Sequence, residues 1–235
     1  MKDLLSFFTR IPVGRGSAEP EDLYLLVLVA AVIAFLPTVV FLITEGVLPR
    51  AVVSILSILS IYSITGLIHT DGLSDFSDGI MKKGLKDEKI RAMKDVNTGT
   101  AGLFSLVVLI LGEFYAISDV RTSFLSVLSF FLVSEVSAKF SMIVGLTIFP
   151  TPDSGLAHSF KMRARRYDIP LFLLISLPIA LISWRIWLNV FAGGLISAVV
   201  GLVSVRNFSF VNGDALGAMN EISRVVTMWL ICLGL

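Results

Sequence analysis

The sequence predicts an all-α, polytopic integral membrane protein, a helical bundle of about seven transmembrane helices with an N-terminal interfacial helix. Of its 235 residues, 55% are hydrophobic and 16% are charged, against roughly 25% charged in an average soluble domain. The mean hydropathy is +0.88. Apolar runs recur along the chain, and most approach the length of about 20 residues that a helix needs to cross a hydrocarbon core.

The composition also excludes other classes of protein. With 19 Lys and Arg against 18 Asp and Glu, the chain lacks the summed basic field of a nucleic-acid binder, so no nucleic acid is expected as a partner. The high apolar content is incompatible with disorder, and a single cysteine cannot build a disulfide framework. No repeat divides the chain, so we expect one membrane-embedded domain over residues 1–235.

The chain begins with a segment that we expect to lie in the membrane interface. Its apolar residues follow helical spacing, at Leu4, Phe7, Phe8 and Ile11. This pattern predicts a short amphipathic helix, and Pro12 is expected to end it.

Seven apolar segments follow as candidate spans. They are residues 23–43, 51–68, 101–118, 122–145, 169–184, 186–205 and 215–235. Pro37 and Pro178 lie inside two of them and predict bends rather than breaks, because neighbouring helices can bond the freed carbonyl groups.

The connecting loops alternate in their content of Lys and Arg. Residues 69–100 hold six and residues 146–168 hold four, whereas the loops between spans on the other side hold one each. Because these cations are retained on the cytoplasmic side, we expect a multi-pass protein of the cell membrane. Its N-terminus, residues 69–100, 146–168 and 206–214 would face the cytoplasm.

An acidic motif follows the second predicted span. On a helix, Asp71, Asp75 and Asp78 would share one narrow stripe, where three like charges repel each other unless a cation lies between them. Hard oxygen ligands suit Mg²⁺ or Mn²⁺ that is shared with a phosphorylated substrate. A solvated helix face is the alternative. His69 would point away from this stripe on a continuous helix, so it contacts substrate only if the backbone breaks near Gly66.

Two further motifs lie near predicted helix starts. Asp95, beside Lys94, precedes a glycine-rich segment with Gly99, where backbone amides could hold phosphate, or where Asp95 could simply cap the helix. Asp214 and Glu221 would share a face of the last span. Alternatively, Asp214 caps that helix and Glu221 pairs with Arg224. We interpret Glu135 and Lys139 as a buried pair, and the sequence offers no partner for Glu113.

These motifs carry a resemblance to a known family. The matching blocks are Gly66 to Gly79, Met93-Lys94-Asp95 with Gly99 and Gly102, Gly213-Asp214-x-Leu216-Gly217-Ala218-x-Asn220-Glu221, and Phe8-x-Arg10-x-Pro12. Together they resemble the cobalamin synthases, the adenosylcobinamide-GDP ribazoletransferases. The chain departs from that pattern at Leu67, where a second glycine is usual, and at Arg224, where an acidic residue is expected.

The resemblance implies a membrane enzyme that joins GDP-activated cobinamide to α-ribazole or α-ribazole 5′-phosphate, releases GMP and requires Mg²⁺. On this basis Asp71, Asp75 and Asp78 would hold the metal. Asp95 would complete its ligand shell or accept a proton from the attacking hydroxyl. The expected substrate-binding residues are Arg10, His69, Lys94, Gly99, Asp214, Asn220 and Glu221, with Arg10 and Lys94 clamping phosphates.

Two other functions stay open at this point. A CDP-alcohol phosphotransferase of lipid synthesis would use a similar carboxylate cluster, but its usual Asp-Gly-x-x-Ala-Arg opening is absent, because Ser74-Asp75 follows Asp71-Gly72-Leu73. A cation-coupled transporter would carry charges near the middle of the bilayer, where Glu113 and Glu135 fall. A homo-oligomer also stays open, because the same apolar surface can contact either lipid or a second copy of the chain.

Overall fold

A computed structural model describes residues 1–13 and 22–234, and twelve α-helices account for most of these residues. The helices are α1 (Lys2–Phe8), α2 (Leu26–Thr44), α3 (Arg50–Thr65), α4 (Ile68–Met81), α5 (Lys86–Met93), α6 (Thr100–Asp119), α7 (Phe124–Ile148), α8 (Leu156–Arg163), α9 (Asp168–Ser176), α10 (Trp184–Leu188), α11 (Val190–Phe208) and α12 (Gly213–Cys232). Short 3₁₀ helices cover Leu23–Leu25 and Leu177–Leu181.

The prediction of an all-helical, multi-pass membrane protein is confirmed, but the count of seven spans is not. Among the described residues, four segments are long and apolar enough to cross a membrane: Leu23–Thr44, Thr100–Asp119, Phe124–Ile148 and Trp184–Phe208. A fifth arises if α3 and α4 count as one span, although they meet at an angle of 95°.

The remaining predicted spans differ from expectation for identifiable reasons. Residues 169–184 divide into α9 and a 3₁₀ segment that has Pro178 in its first turn, so the chain forms no single long helix there. Helix α12 is 20 residues long, but Asp214, Glu221 and Arg224 lower its hydropathy. By contrast, Pro37 lies inside α2, which continues to Thr44.

Helix α7 forms the centre of the bundle and packs against α2, α11 and α12. Of its most apolar stretch, 89% is buried. Small residues allow the close approach of α11, since a Cβ atom added at Gly193 would lie 2.1 Å from the carbonyl oxygen of Ser137. Such small-residue contacts are typical of helix packing in membranes.

The predicted N-terminal helix is present as α1, but it ends at Phe8 rather than at Pro12. Thr9 has an extended backbone, and its hydroxyl donates to the carbonyl of Leu5 at 2.6 Å. The side chains of Leu4 and Phe8 are buried in the core of the bundle. The apolar face of α1 therefore packs on the protein, against α2 and α8 among other elements.

Candidate active site

The break between α3 and α4 sets the direction of the acidic helix. Gly66 ends α3 with φ of +69°, a left-handed conformation that glycine adopts without steric cost. The backbone of Arg10 lies next to this break, because its N–H group donates to the carbonyl of Ile64 at 2.7 Å. Its side-chain carbons lie 3.4 and 3.6 Å from where a Cβ atom of Gly66 would be. Arg10 thus stands at the entry to α4.

Helix α4 places the predicted carboxylates on one side, and α12 adds a fourth. The charges of Asp71, Asp78 and Asp214 all act on Asp75, so these three side chains lie near Asp75. We call the four carboxylates the acidic group. Asp71 is exposed, and Asp75 is half-buried. Within the described part of the chain, the side-chain carboxylates of Asp71 and Asp75 form no ion pair or hydrogen bond.

Two glycines let α12 approach α4 closely enough for this grouping. A Cβ atom added at Gly72 would lie 3.0 Å from the Cα atom of Asp214, and one added at Gly217 would lie 2.8 Å from the carbonyl oxygen of His69. The helices therefore cross backbone to backbone, which brings Asp214, in the first turn of α12, beside the stripe on α4.

Asp78 has a different environment from the other carboxylates. Its Oδ2 accepts a hydrogen bond from the backbone N–H of Gly99 at 2.7 Å, and its Oδ1 accepts one from Gly102 at 2.9 Å. A Cβ atom on either glycine would clash with the carboxylate, at 2.4 and 2.6 Å. Asp78 thus occupies the N-terminus of α6, where free N–H groups and the helix dipole favour an anion. The amides expected to hold phosphate are bound to Asp78 instead.

Asp95 lies in the exposed loop between α5 and α6. Its Oδ1 accepts hydrogen bonds from the backbone N–H and the side-chain amide of Asn97, both at 3.0 Å. The backbone bond is the larger cause of a lowered pKa of Asp95. Neighbouring Lys94 is also exposed, but its charge acts on Asp214. The charge of Lys94 therefore acts on a member of the acidic group, whereas the carboxylate of Asp95 is bound to Asn97.

Asn220 and Glu221 lie in a buried charge network, not at the acidic group. Asn220 accepts a hydrogen bond from Lys139 at 2.7 Å and donates one to Glu221 at 3.0 Å. Arg224 contacts Glu221 at 2.7 Å, Glu135 at 2.6 Å and Glu113 at 3.3 Å. These side chains are almost entirely inaccessible to solvent. Seven residues separate Asp214 from Glu221, about 10 Å along a helix.

The network resolves three expectations from the sequence. Glu135 and Lys139 form the predicted pair, with 3.5 Å between Nζ and Oε2, and Glu221 pairs with Arg224, which was the alternative to a binding role. Glu113, for which the sequence offered no partner, accepts a hydrogen bond from the hydroxyl of Tyr62 at 3.0 Å and contacts Arg224. Glu113 and Glu135, the charges that kept a transporter open, are both paired with Arg224, so no observation favours that function.

A cavity that the sequence did not reveal lies beside the acidic group. It has a volume of about 140 Å³ and is lined by side chains that include Phe7, Phe8, His69, Ala157, Phe160 and Leu216. Asp71 and Asp214 also line it, so it borders the acidic group directly. We call it the aromatic cavity. Its walls come from α1, α2, α4, α7, α8 and α12, elements far apart in the chain, which no local sequence pattern could bring together.

The acidic group suits a divalent cation only in combination with another ligand. Among the described residues, no set of three or more His, Cys, Asp or Glu side chains is arranged to hold a metal by itself. Mg²⁺ is commonly held by one or two carboxylates together with substrate phosphates. Asp71 and Asp75 provide two carboxylates with no partner among residues 1–13 and 22–234, which fits that pattern, whereas the oxygens of Asp78 are already engaged.

Taken together, the fold and the site define a multi-pass membrane protein whose helices assemble a carboxylate site beside an apolar cavity. The chain belongs to the cobalamin-5-phosphate synthase family, whose model matches residues 1–232. This result confirms the resemblance seen in the sequence motifs.

Three relatives that align with nearly the whole chain share one name. A protein from Pyrococcus abyssi, named adenosylcobinamide-GDP ribazoletransferase, is 37% identical and aligns with 100% of this chain and 98% of its own length. Relatives of the same name from Thermococcus kodakarensis and Pyrococcus furiosus are 36% and 34% identical. Their alignments cover 99% and 98% of this chain, respectively, and 98% of each relative. No solved structure matches the chain.

Proposed function

We propose that the protein is a Mg²⁺-dependent adenosylcobinamide-GDP ribazoletransferase. It would join GDP-activated cobinamide to α-ribazole or α-ribazole 5′-phosphate and release GMP. The observation that carries this proposal is the pair of unpartnered carboxylates, Asp71 and Asp75, beside a cavity in a chain of this family. Full-length relatives that bear the name support the choice of substrates.

The reaction is a substitution at phosphorus. A ribose hydroxyl of the acceptor attacks the phosphorus atom that is bound to cobinamide, forming a new O–P bond. The pyrophosphate O–P bond breaks, GMP leaves with the electron pair, and the hydroxyl proton passes to a base. Mg²⁺, when bound, would neutralise charge on the pyrophosphate and on the departing GMP.

The residues of the chain divide this work according to their positions. Asp71 and Asp75 would hold the metal together with the pyrophosphate oxygens. Asp214 accepts a hydrogen bond from the Asn212 side-chain amide at 2.7 Å, which orients its carboxylate at the cavity wall. This makes Asp214 a better placed proton acceptor than Asp95. Asp78 is a positioning residue, because it fixes the start of α6 against α4.

Cationic side chains near the group would bind the phosphates. Lys94 acts electrostatically on Asp214, and Arg10 lies across the backbone break that precedes His69 and Asp71. Both side chains are exposed, so they can reach a substrate that enters from solvent. Charge-assisted hydrogen bonds from Arg to phosphate are strong and often bidentate.

The substitution Asp75→Asn tests the proposal. Purified protein in lipid vesicles is given GDP-cobinamide, α-ribazole and Mg²⁺, and the GMP and the cobamide are quantified. Wild type should form both in equal amounts, and Asp75→Asn should lower kcat by about 10²–10³-fold, the scale of losing one group that stabilises developing charge. Asp87→Asn, an isosteric change at an exposed position of α5, is the matched control and should match wild type. Failure of wild type to form either product would contradict the proposal.

A further inference from the structure

The aromatic cavity has the size and lining of a site for one flat aromatic group. Its volume of about 140 Å³ is close to the ~150 Å³ of an apolar protein cavity that binds benzene. The rings of Phe7 and Phe160 lie edge to face with centroids 4.9 Å apart, and the Phe8 ring lies 6.0 Å from Phe160. Aromatic walls in these orientations provide favourable contacts for a further ring.

One buried polar atom in this lining lacks a hydrogen-bond partner. His69 lines the cavity and is 6% exposed, and its Nε2 atom is buried without a hydrogen bond. An unpaired buried polar group is costly, and a ligand in the cavity that supplied a hydrogen-bond acceptor to His69 would remove that cost. The ring of Phe8 lies 5.8 Å from the imidazole and restrains it from one side.

The acidic side of the cavity fixes where the rest of such a ligand would lie. Asp71 and Asp214 line the cavity and also belong to the carboxylate group. A ring held among the phenylalanines would therefore place an attached sugar beside the carboxylates, where a hydroxyl can reach the phosphorus atom.

We propose that the aromatic cavity binds the bicyclic base of the ribazole acceptor and that His69 Nε2–H donates a hydrogen bond to its free ring nitrogen. This inference rests on the proposed function and assigns one of its substrates to a place. The other substrate, GDP-cobinamide, fits the aromatic cavity less well. A corrin ring is too large for the cavity. Guanine has more ring donors and acceptors than the lining away from the carboxylates can satisfy, since His69 is the one polar side chain there among the described residues.

A pair of acceptor analogues tests the hydrogen bond without altering the protein. Benzimidazole riboside carries the free ring nitrogen, whereas indole riboside has a C–H group at that position and almost the same shape. Wild type should use benzimidazole riboside with a kcat/KM higher by about five- to tenfold, the value of one neutral hydrogen bond. His69→Phe keeps an aromatic ring but removes the hydrogen-bond donor, so this variant should use the two analogues with equal kcat/KM. Equal use of both analogues by wild type would overturn the assignment of His69.

A second variant tests the cavity itself. Ala157 is buried in the cavity wall, so Ala157→Leu should raise the KM for α-ribazole by about tenfold and leave the KM for GDP-cobinamide unchanged. Ala198→Leu adds the same atoms at an exposed position of α11 and should leave both KM values unchanged.

These outcomes separate the inference from the function on which it rests. If wild type forms GMP and cobamide but Ala157→Leu leaves the KM for α-ribazole unchanged, the cavity holds something else, such as a lipid acyl chain, and the inference is wrong while the function stands. If the KM for GDP-cobinamide rises instead, the cavity belongs to the other substrate and the inference is again wrong. If wild type forms neither product, the proposed function itself has failed.

Discussion

Arg224 shows how single residues hold this bundle together. Its guanidinium contacts three carboxylates, from Glu113, Glu135 and Glu221, and it is fully buried. Its Nη2 atom has no hydrogen-bond partner. The family resemblance implies an acidic residue at this position. The structure explains how an arginine is tolerated there, since three buried carboxylates would otherwise repel one another.

Replacing Arg224 with methionine should therefore destabilise the protein strongly. Arg224→Met keeps much of the side-chain volume but removes the guanidinium from three buried carboxylates, of which Glu135 is also paired with Lys139. Breaking a buried ion pair from one side costs about 3–5 kcal/mol, so the thermal unfolding temperature in lipid or detergent should fall clearly below that of wild type. The matched control is Arg206→Met at an exposed position, which should unfold like wild type. An unchanged unfolding temperature for Arg224→Met would contradict the network.

At the scale of elements, the crossing of α4 and α12 is what assembles the acidic group. Gly217→Ala would place a Cβ atom 2.8 Å from the carbonyl oxygen of His69, whereas Gly213→Ala meets nothing within 4 Å. Overpacking of this kind costs about 1–3 kcal/mol. We expect Gly217→Ala to lower both the unfolding temperature and kcat, and Gly213→Ala to keep the unfolding temperature of wild type. Equal unfolding temperatures for the two variants would show that the helices do not meet as described.

The same elements show what the sequence could and could not predict. Helical spacing was enough to place Asp71, Asp75 and Asp78 on one side of α4. The backbone break near Gly66, on which a role for His69 depended, is present, and Gly66 has a positive φ there. Spacing alone also predicted a shared face for Asp214 and Glu221. It could not reveal that Glu221 lies deeper in the bundle, because the network around it brings in Tyr62 of α3, Glu113 of α6 and Glu135 of α7.

The binding roles of individual residues were harder still to predict from the sequence, because they depend on tertiary packing. The glycines at the start of α6 were expected to hold phosphate, but Asp78 from α4 reaches their amides first. The aromatic cavity combines α1 with α8, and only the folded chain brings these helices together. Motifs thus indicated which residues matter, while the arrangement of helices decided what each one contacts.

For the whole molecule, the alternation of Lys and Arg predicts that the loop between α4 and α5 lies in the cytoplasm. Cysteine labelling tests this orientation in a Cys232→Ser background. Val47→Cys, between α2 and α3, should react with a membrane-impermeant maleimide in intact cells, because it would face outward. Lys83→Cys should react only after lysis. Labelling of Lys83→Cys in intact cells would reverse the orientation and remove the acidic group from cytoplasmic substrates.

The central claim is that Asp71 and Asp75 hold a divalent cation which the transfer of cobinamide phosphate to α-ribazole requires. The most direct test measures GMP and cobamide formation by the wild-type protein in vesicles, first with a chelator and then during titration with Mg²⁺. The account predicts no product in the chelator, recovery of both products in equal amounts with Mg²⁺, and a much higher Mg²⁺ requirement for Asp75→Asn. Product formation that proceeds at full rate in the chelator would contradict it.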